Sequence, residues 1–139
     1  MRSLDWEKIT TLTAEAEKAV AQLGEYAGIA PADLVANSEK LGNMKYQFIV
    51  AIEACIDICQ HVSAKLFSEV PQSYASCFDV LRDNNIINGE LAAMMSDLAR
   101  FRNVIVHRYW IVDDWRVVEN LQKVDAIDLY LHAISDMPR

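Results

Sequence analysis

Residues 100–109 read RFRNVIVHRY and concentrate cationic and titratable side chains in one short stretch. Arginine binds phosphoryl oxygens through two parallel N–H donors and stays charged in proteins. The imidazole of His107 can act as a general base or general acid near neutral pH. Asn103 could orient that imidazole or donate to a phosphate. This set suits phosphate chemistry without a metal, and on RNA the 2′-hydroxyl could be the attacking group.

The charge of the chain is unevenly distributed. The sequence has 139 residues and 53% apolar residues, which predicts a single domain spanning residues 1–139. The net charge of −7 argues against broad, nonspecific binding of nucleic acid. Residues 98–116 nevertheless have a net charge of +2, so the rest of the chain has a net charge of −9. A basic region on an acidic body can form a local phosphate site.

Neither membrane insertion nor a disulfide framework is expected. The longest apolar stretches are too short to cross a bilayer and no signal peptide is visible, so we expect a cytoplasmic protein. Cys55, Cys59 and Cys77 are an odd number without zinc-site spacing, and we expect them to be reduced and buried.

The sequence predicts helices throughout, including those that position residues 100–109. Apolar residues recur at helical spacing, and strand-like alternation is absent. Asn84 and Asn85 suit a left-handed helix stop, and Asp113 or Asp114 can cap the last helix. The prediction is an all-α, up-and-down bundle of four long helices and one short one. The expected helices are residues 4–23, 38–67, 73–85, 88–107 and 113–136.

The fourth predicted helix has two faces. One apolar seam must face the core: Leu91, Met94, Leu98, Phe101 and Ile105. A second stripe lies nearly opposite: Ala93, Ser96, Arg100, Asn103 and His107. This stripe is either a solvated face or a second contact surface. In a homodimer, a twofold axis would bring two copies of it together around one cleft.

Arg102 falls about 50° from the centre of the core seam, where a guanidinium needs a partner. The second predicted helix offers Glu53 and Asp57, four residues apart on a largely apolar helix. We interpret both as supporting acids for Arg102 or its neighbours. A metal site on Glu53, Asp57 and His61 is the alternative, although it lacks a wider ligand set, and we expect neither metal nor cofactor.

Three stretches resemble HepT-like toxins of the HEPN superfamily. "FRNVIVHRY" looks like the R-x4-H-x-Y signature of that family, and the order of the three segments is more specific than the signature alone. The resemblance covers most of the chain. The three segments are "AIEACIDICQHV", "PQSYASCFDVLRDNNII" and "FRNVIVHRYWIVDDWRVVENL", which contains the signature.

The resemblance implies a homodimeric, metal-independent endoribonuclease acting as the toxin of a toxin–antitoxin pair. The partner would be a minimal nucleotidyltransferase antitoxin that neutralises the toxin by transferring AMP to the motif tyrosine. Carried over here, Arg102 and His107 would be the catalytic pair, Asn103 an accessory residue and Tyr109 the modified residue. Tyr109 could instead be a core or interface aromatic.

Two arginines, Arg100 and Arg102, could pair with His107. The superfamily allows four to six residues between arginine and histidine, so Arg100 also qualifies and shares a helix face with His107. Arg102 matches the motif but lies about 140° from His107 around the helix. We take Arg102 as essential, with Arg100 and Arg108 as phosphate- or RNA-binding auxiliaries.

Two other functions fit the same pattern. The protein could be a catalytically silent helical dimer that grips and regulates the nucleotidyltransferase. Alternatively, the transferase could be the toxic element and this chain its inhibitor.

Overall fold

The computed structural model describes residues 3–139, which form helices and connecting loops without a strand. The all-α prediction is therefore confirmed. The helices are α1 (Trp6–Gly24), α2 (Pro31–Val35), α3 (Ser38–Phe67), α4 (Tyr74–Asp83), α5 (Gly89–His107), α6 (Asp114–Glu119) and α7 (Val124–Ser135). Short 3-10 turns lie at Tyr109–Ile111 and Asn120–Lys123.

Helix α3 is the centre of the bundle and packs against all six other α-helices. Its Phe48 meets Phe101 of α5 edge-to-face, with ring centroids 5.3 Å apart. Phe78 of α4 meets Tyr130 of α7 in the same way at 5.5 Å. Such aromatic pairs bury large apolar surfaces and add geometric preference. The Phe48–Phe101 pair fixes α5, and with it residues 100–107, against the central helix.

Polar residues cap or end several helices, and the sequence predicted two of these ends, at Asp113 and at the Asn84–Asn85 pair. The side chain of Asn88 caps α5 by accepting from the backbone N–H of Leu91 at 2.8 Å. Asp113 caps α6 in the same way. After α4, Asn85 adopts a left-handed conformation with φ of 61°, which ends the helix where the Asn84–Asn85 pair predicted.

The last predicted helix is not continuous. Residues 113–136 were expected to form one helix, but the structure has α6, a 3-10 turn and α7. Asn120 lies at the junction, 5% exposed, and its Nδ2 donates to the carbonyl of Arg116 at 2.8 Å. A short polar side chain that bonds to the carbonyl four residues back perturbs a helix. The segment between α1 and α3 contains the short helix α2, which begins at Pro31.

Helix α5 is packed on two sides rather than one. Leu98 and Phe101 of the predicted seam are fully buried, but Met94 is only half-buried. On the opposite stripe, Ser96 is 5% exposed and its hydroxyl donates to the carbonyl of Ala75 at 2.8 Å. The interpretation of this stripe as a solvated face is therefore wrong at Ser96, because α4 covers it.

The three cysteines are buried and free, as expected. Burial raises the pKa of the Cys55 thiol far above its usual range. Tyr130 is fully buried and donates its hydroxyl hydrogen to the Cys55 carbonyl at 2.9 Å.

Within residues 3–139, no helix combines the length and apolar character needed to cross a membrane.

Candidate functional site

A solvent-open groove of about 560 Å³ lies where the C-terminal end of α5 meets the start of α4. Four of the predicted site residues line it: Arg100, Asn103, His107 and Arg108. Positions 100, 103 and 107 lie on one face of α5 because they are spaced three and four residues apart. The groove therefore collects an imidazole, an amide and two guanidinium groups on one surface.

Arg102 lies directly behind this groove. Its Nε and Nη2 donate to Oε1 of Glu53 at 3.1 and 2.6 Å, and its Nη1 donates to Oδ1 of Asn103 at 3.0 Å. Only 12% of the side chain is exposed. The carboxylate of α3 thus orients a nearly buried guanidinium, and Asn103 links that guanidinium to the groove.

The two predicted supporting acids differ in position. Glu53 forms the ion pair with Arg102, whereas Asp57 lies one turn further along α3 and is exposed. Desolvation raises the pKa of the Asp57 carboxyl, and the nearby charge of Glu53 raises it further, while Lys8 and Arg102 oppose that shift.

His61 has a role at the start of α1. Its Nε2 accepts a hydrogen bond from the backbone N–H of Asp5 at 2.9 Å. This contact engages one of the two ring nitrogens through which a histidine can bind a metal. Across residues 3–139, no group of three or more His, Cys, Asp or Glu side chains could hold a metal ion.

The auxiliary cations and the motif tyrosine lie at the surface. Arg100 forms an exposed ion pair with Asp97, one turn earlier on α5, at 3.0 Å. Arg108 follows the last residue of α5 and is exposed. Tyr109 is 73% exposed, and its ring packs edge-to-face against Trp110 at 5.4 Å. Tyr109 is therefore not a core residue of this chain.

Besides Val104 of α5, two residues of the groove were not predicted as site residues. Ser73 and Tyr74 line it from the α4 side, and the Arg102 guanidinium carbon lies 5.3 Å from the centroid of the Tyr74 ring. The sequence does contain a signal for a helix start here, because Ser73 and Ser76 form a capping box. Nothing in the local sequence indicates that this start meets the end of α5, which follows from tertiary packing.

The structure thus combines an all-helical bundle with an R-x4-H-x-Y motif beside a polar groove at the end of a long helix. The family profile described as ribonuclease HepT-like matches residues 16–134. The chain therefore belongs to the HepT-like family, as its motifs indicated.

Two relatives align over parts of the chain. One is described as an mRNA nuclease HepT from Shewanella oneidensis, 37% identical over 57 residues, which are 41% of this chain and 43% of that protein. The chain thus aligns with less than half of that relative's length. The other is a putative RNase from Archaeoglobus fulgidus, 29% identical over 93 residues, which are 66% of this chain and 70% of that protein.

The fold is also that of a solved toxin. A tri-AMPylated Shewanella oneidensis HEPN toxin, in complex with an MNT antitoxin, matches with a TM-score of 0.85 and 21% identity. The match covers 94% of this chain and 98% of the toxin. This likeness confirms the predicted HEPN-like helical bundle.

Proposed function

We propose that this protein is a metal-independent endoribonuclease and the toxin of a toxin–antitoxin pair. The observation that carries the proposal is the groove in which His107 lies beside Asn103, Arg100 and Arg108, with Arg102 immediately behind. Membership of the HepT-like ribonuclease family supports the same reaction class.

The reaction follows from the chemistry of these groups. The 2′-hydroxyl of RNA attacks the adjacent phosphorus, so the bond from 2′-oxygen to phosphorus forms and the bond to the 5′-oxygen breaks. An imidazole takes the proton of the 2′-hydroxyl, and a second acid protonates the leaving 5′-oxygen. Arg102 stabilises the charge that develops on the phosphoryl oxygens, and Arg100 and Arg108 bind flanking phosphates. Asn103 couples Arg102 to the groove.

We further propose a homodimer, because residues 3–139 of one chain present a single histidine to this groove. A twofold axis beside the groove would pair His107 with its symmetry mate and supply both base and acid. Large apolar side chains follow the motif and are 52–73% exposed: Tyr109, Trp110, Ile111 and Trp115. Such residues are typical of protein interfaces. They favour a contact with either a second copy or a protein partner at this end of the bundle.

The proposed partner is a minimal nucleotidyltransferase antitoxin that modifies Tyr109. The phenolic oxygen would attack the α-phosphate of ATP, forming an oxygen–phosphorus bond and releasing pyrophosphate, with the phenolic proton passing to solvent. The high exposure of Tyr109 makes it accessible to such an enzyme. A bound AMP would add bulk and negative charge beside the groove and repel RNA.

The test of this function is RNA cleavage by purified protein in excess EDTA. We expect His107→Ala to lower cleavage by about 10³-fold or more, since a positioned acid or base contributes on the order of 10²–10⁴-fold. His132→Ala is the matched control, because His132 is an exposed helical histidine whose Nδ1 contacts only the Asp128 carbonyl. Full cleavage by His107→Ala would overturn the assignment of His107.

One observation favours a second candidate, a catalytically silent dimer that regulates the transferase. The donors of Arg102 are directed to Glu53 and Asn103 rather than into the groove. The same assay separates the two functions, because a silent dimer leaves RNA intact while still binding its partner.

A further inference from the structure

The Arg102 guanidinium is enclosed by three neighbours. Glu53 accepts two of its hydrogen bonds, Asn103 accepts a third, and the Tyr74 ring lies 5.3 Å from its central carbon. Tyr74 and Asn103 also line the groove, whereas Arg102 does not. Tyr74 therefore contacts both the Arg102 guanidinium and the space of the groove.

The position of Tyr74 is fixed by the same helix that carries Arg102. Tyr74 is the first residue of α4. The capping box holds this turn, with the Ser73 hydroxyl accepting from the Ser76 N–H at 3.0 Å and the Ser76 hydroxyl accepting from the Ser73 N–H at 3.1 Å. The buried Ser96 of α5 donates to the carbonyl of Ala75 at 2.8 Å. The first turn of α4 is thus tied to α5 about one and a half turns before Arg102.

We infer that Tyr74 is a positioning residue that holds the Arg102 guanidinium at the groove wall for phosphate binding. The inference rests on the proposed ribonuclease function. An aromatic face attracts a guanidinium, and the attraction strengthens where water is excluded. Glu53 holds one edge of the guanidinium through two hydrogen bonds, and the centroid of the Tyr74 ring lies 5.3 Å from its central carbon. With the bond from Nη1 to Asn103, these contacts fix the guanidinium beside a residue that lines the groove.

The first test compares Tyr74→Phe, which keeps the ring, with Tyr74→Leu, which removes it. With a short single-stranded RNA, we expect Tyr74→Leu to lower kcat about 5- to 30-fold with little change in KM, because orientation of a charge in the transition state is lost. Tyr74→Phe should retain kcat. Ser96→Ala, which releases the first turn of α4, should lower kcat about 2- to 5-fold. Tyr46→Leu, an exposed tyrosine of α3 outside the groove, is the control.

The second test reads the Arg102 side chain directly. In 15N–1H spectra, the Arg102 Nε–H signal is identified by its loss in Arg102→Lys. We expect Tyr74→Leu to shift this signal through loss of the ring current, and Tyr74→Phe to leave it near the wild-type position.

The possible outcomes distinguish a failure of this inference from a failure of the proposed ribonuclease function. If the wild type cleaves RNA and Tyr74→Leu does so with unchanged kcat, the inference is wrong and the ribonuclease stands. An unshifted Arg102 signal in Tyr74→Leu also overturns it. If the wild type does not cleave RNA, the proposed function fails and the role of Tyr74 in phosphate binding fails with it. The spectra then still decide whether Tyr74 orients Arg102.

Discussion

Nη2 of Arg102 on α5 lies 2.6 Å from Oε1 of Glu53 on α3, and Nε of the same guanidinium donates to that oxygen at 3.1 Å. The two residues are 49 positions apart in the chain. Because only 12% of the Arg102 side chain is exposed, the pair both neutralises a nearly buried cation and fixes its orientation. The proposed site is therefore built jointly by the central helix and the motif helix.

Replacement of Glu53 by Gln should weaken this orientation. We expect Glu53→Gln to lower RNA cleavage about tenfold and to reduce the free energy of unfolding by roughly 1 kcal/mol, a modest cost because the Glu53 side chain is 44% exposed. Cleavage kinetics and urea denaturation measure the two effects. Glu17→Gln, on the exposed face of α1, is the control. Unchanged cleavage in Glu53→Gln would separate the ion pair from activity.

Tyr109 should become modified when the protein is co-expressed with the proposed nucleotidyltransferase partner. Because the side chain is 73% exposed, we expect an increment of one or more AMP groups on its peptide by mass spectrometry. Tyr109→Phe removes the acceptor oxygen and should remain unmodified and toxic, whereas Tyr46→Phe should behave as the wild type. A fully neutralised complex with unmodified Tyr109 would contradict this mode of control.

The contact between His61 and Asp5 predicts a pH dependence of stability. Desolvation lowers the pKa of His61 below 6.5, followed by the charges of Lys8 and Lys65, and the neutral Nε2 accepts the Asp5 N–H. As the pH falls through about 6.5, His61 binds a proton in the unfolded state before it does so in the folded state. The free energy of unfolding therefore decreases until the pH reaches the lowered pKa of the folded state.

His61→Gln tests this dependence, because an amide oxygen can accept the same hydrogen bond without titrating. Between pH 7.5 and 5.5 the wild type should lose on the order of 0.5 kcal/mol more than His61→Gln, a small difference because His61 is partly solvated. Urea denaturation at both pH values measures it. His132→Gln should leave the wild-type dependence in place, and equal slopes for wild type and His61→Gln would contradict the prediction.

Gly42 should be replaceable with a gain in stability. Helix α3 runs through this glycine without interruption, and an added Cβ would have no neighbour within 4 Å. Gly42→Ala should therefore raise the free energy of unfolding by about 0.5–1 kcal/mol, because alanine restricts the unfolded backbone. A loss of stability by urea denaturation would show that the flexibility of Gly42 is required.

Some local features could be predicted because they depend on neighbours in the chain. The αL stop at Asn85 and the cap at Asp113 depend on short-range hydrogen bonds and backbone preferences. The break at Asn120 was missed because the apolar spacing continues through it, while one side-chain amide bonds to the Arg116 carbonyl. Met94 was misplaced for a related reason, since its burial depends on which helices pack beside α5.

The sequence by itself determined that the chain is helical, and its R-x4-H-x-Y motif with two flanking segments indicated the HepT-like family. It also indicated that Arg102 needed an acidic partner from the second long helix. Only the tertiary structure decided that Glu53 supplies the ion pair, that Arg100 shares the groove with His107, and that Tyr74 closes over Arg102. Periodicity assigns a side chain to one face of its own helix. Which residue of another helix meets that face depends on the crossing of packed helices.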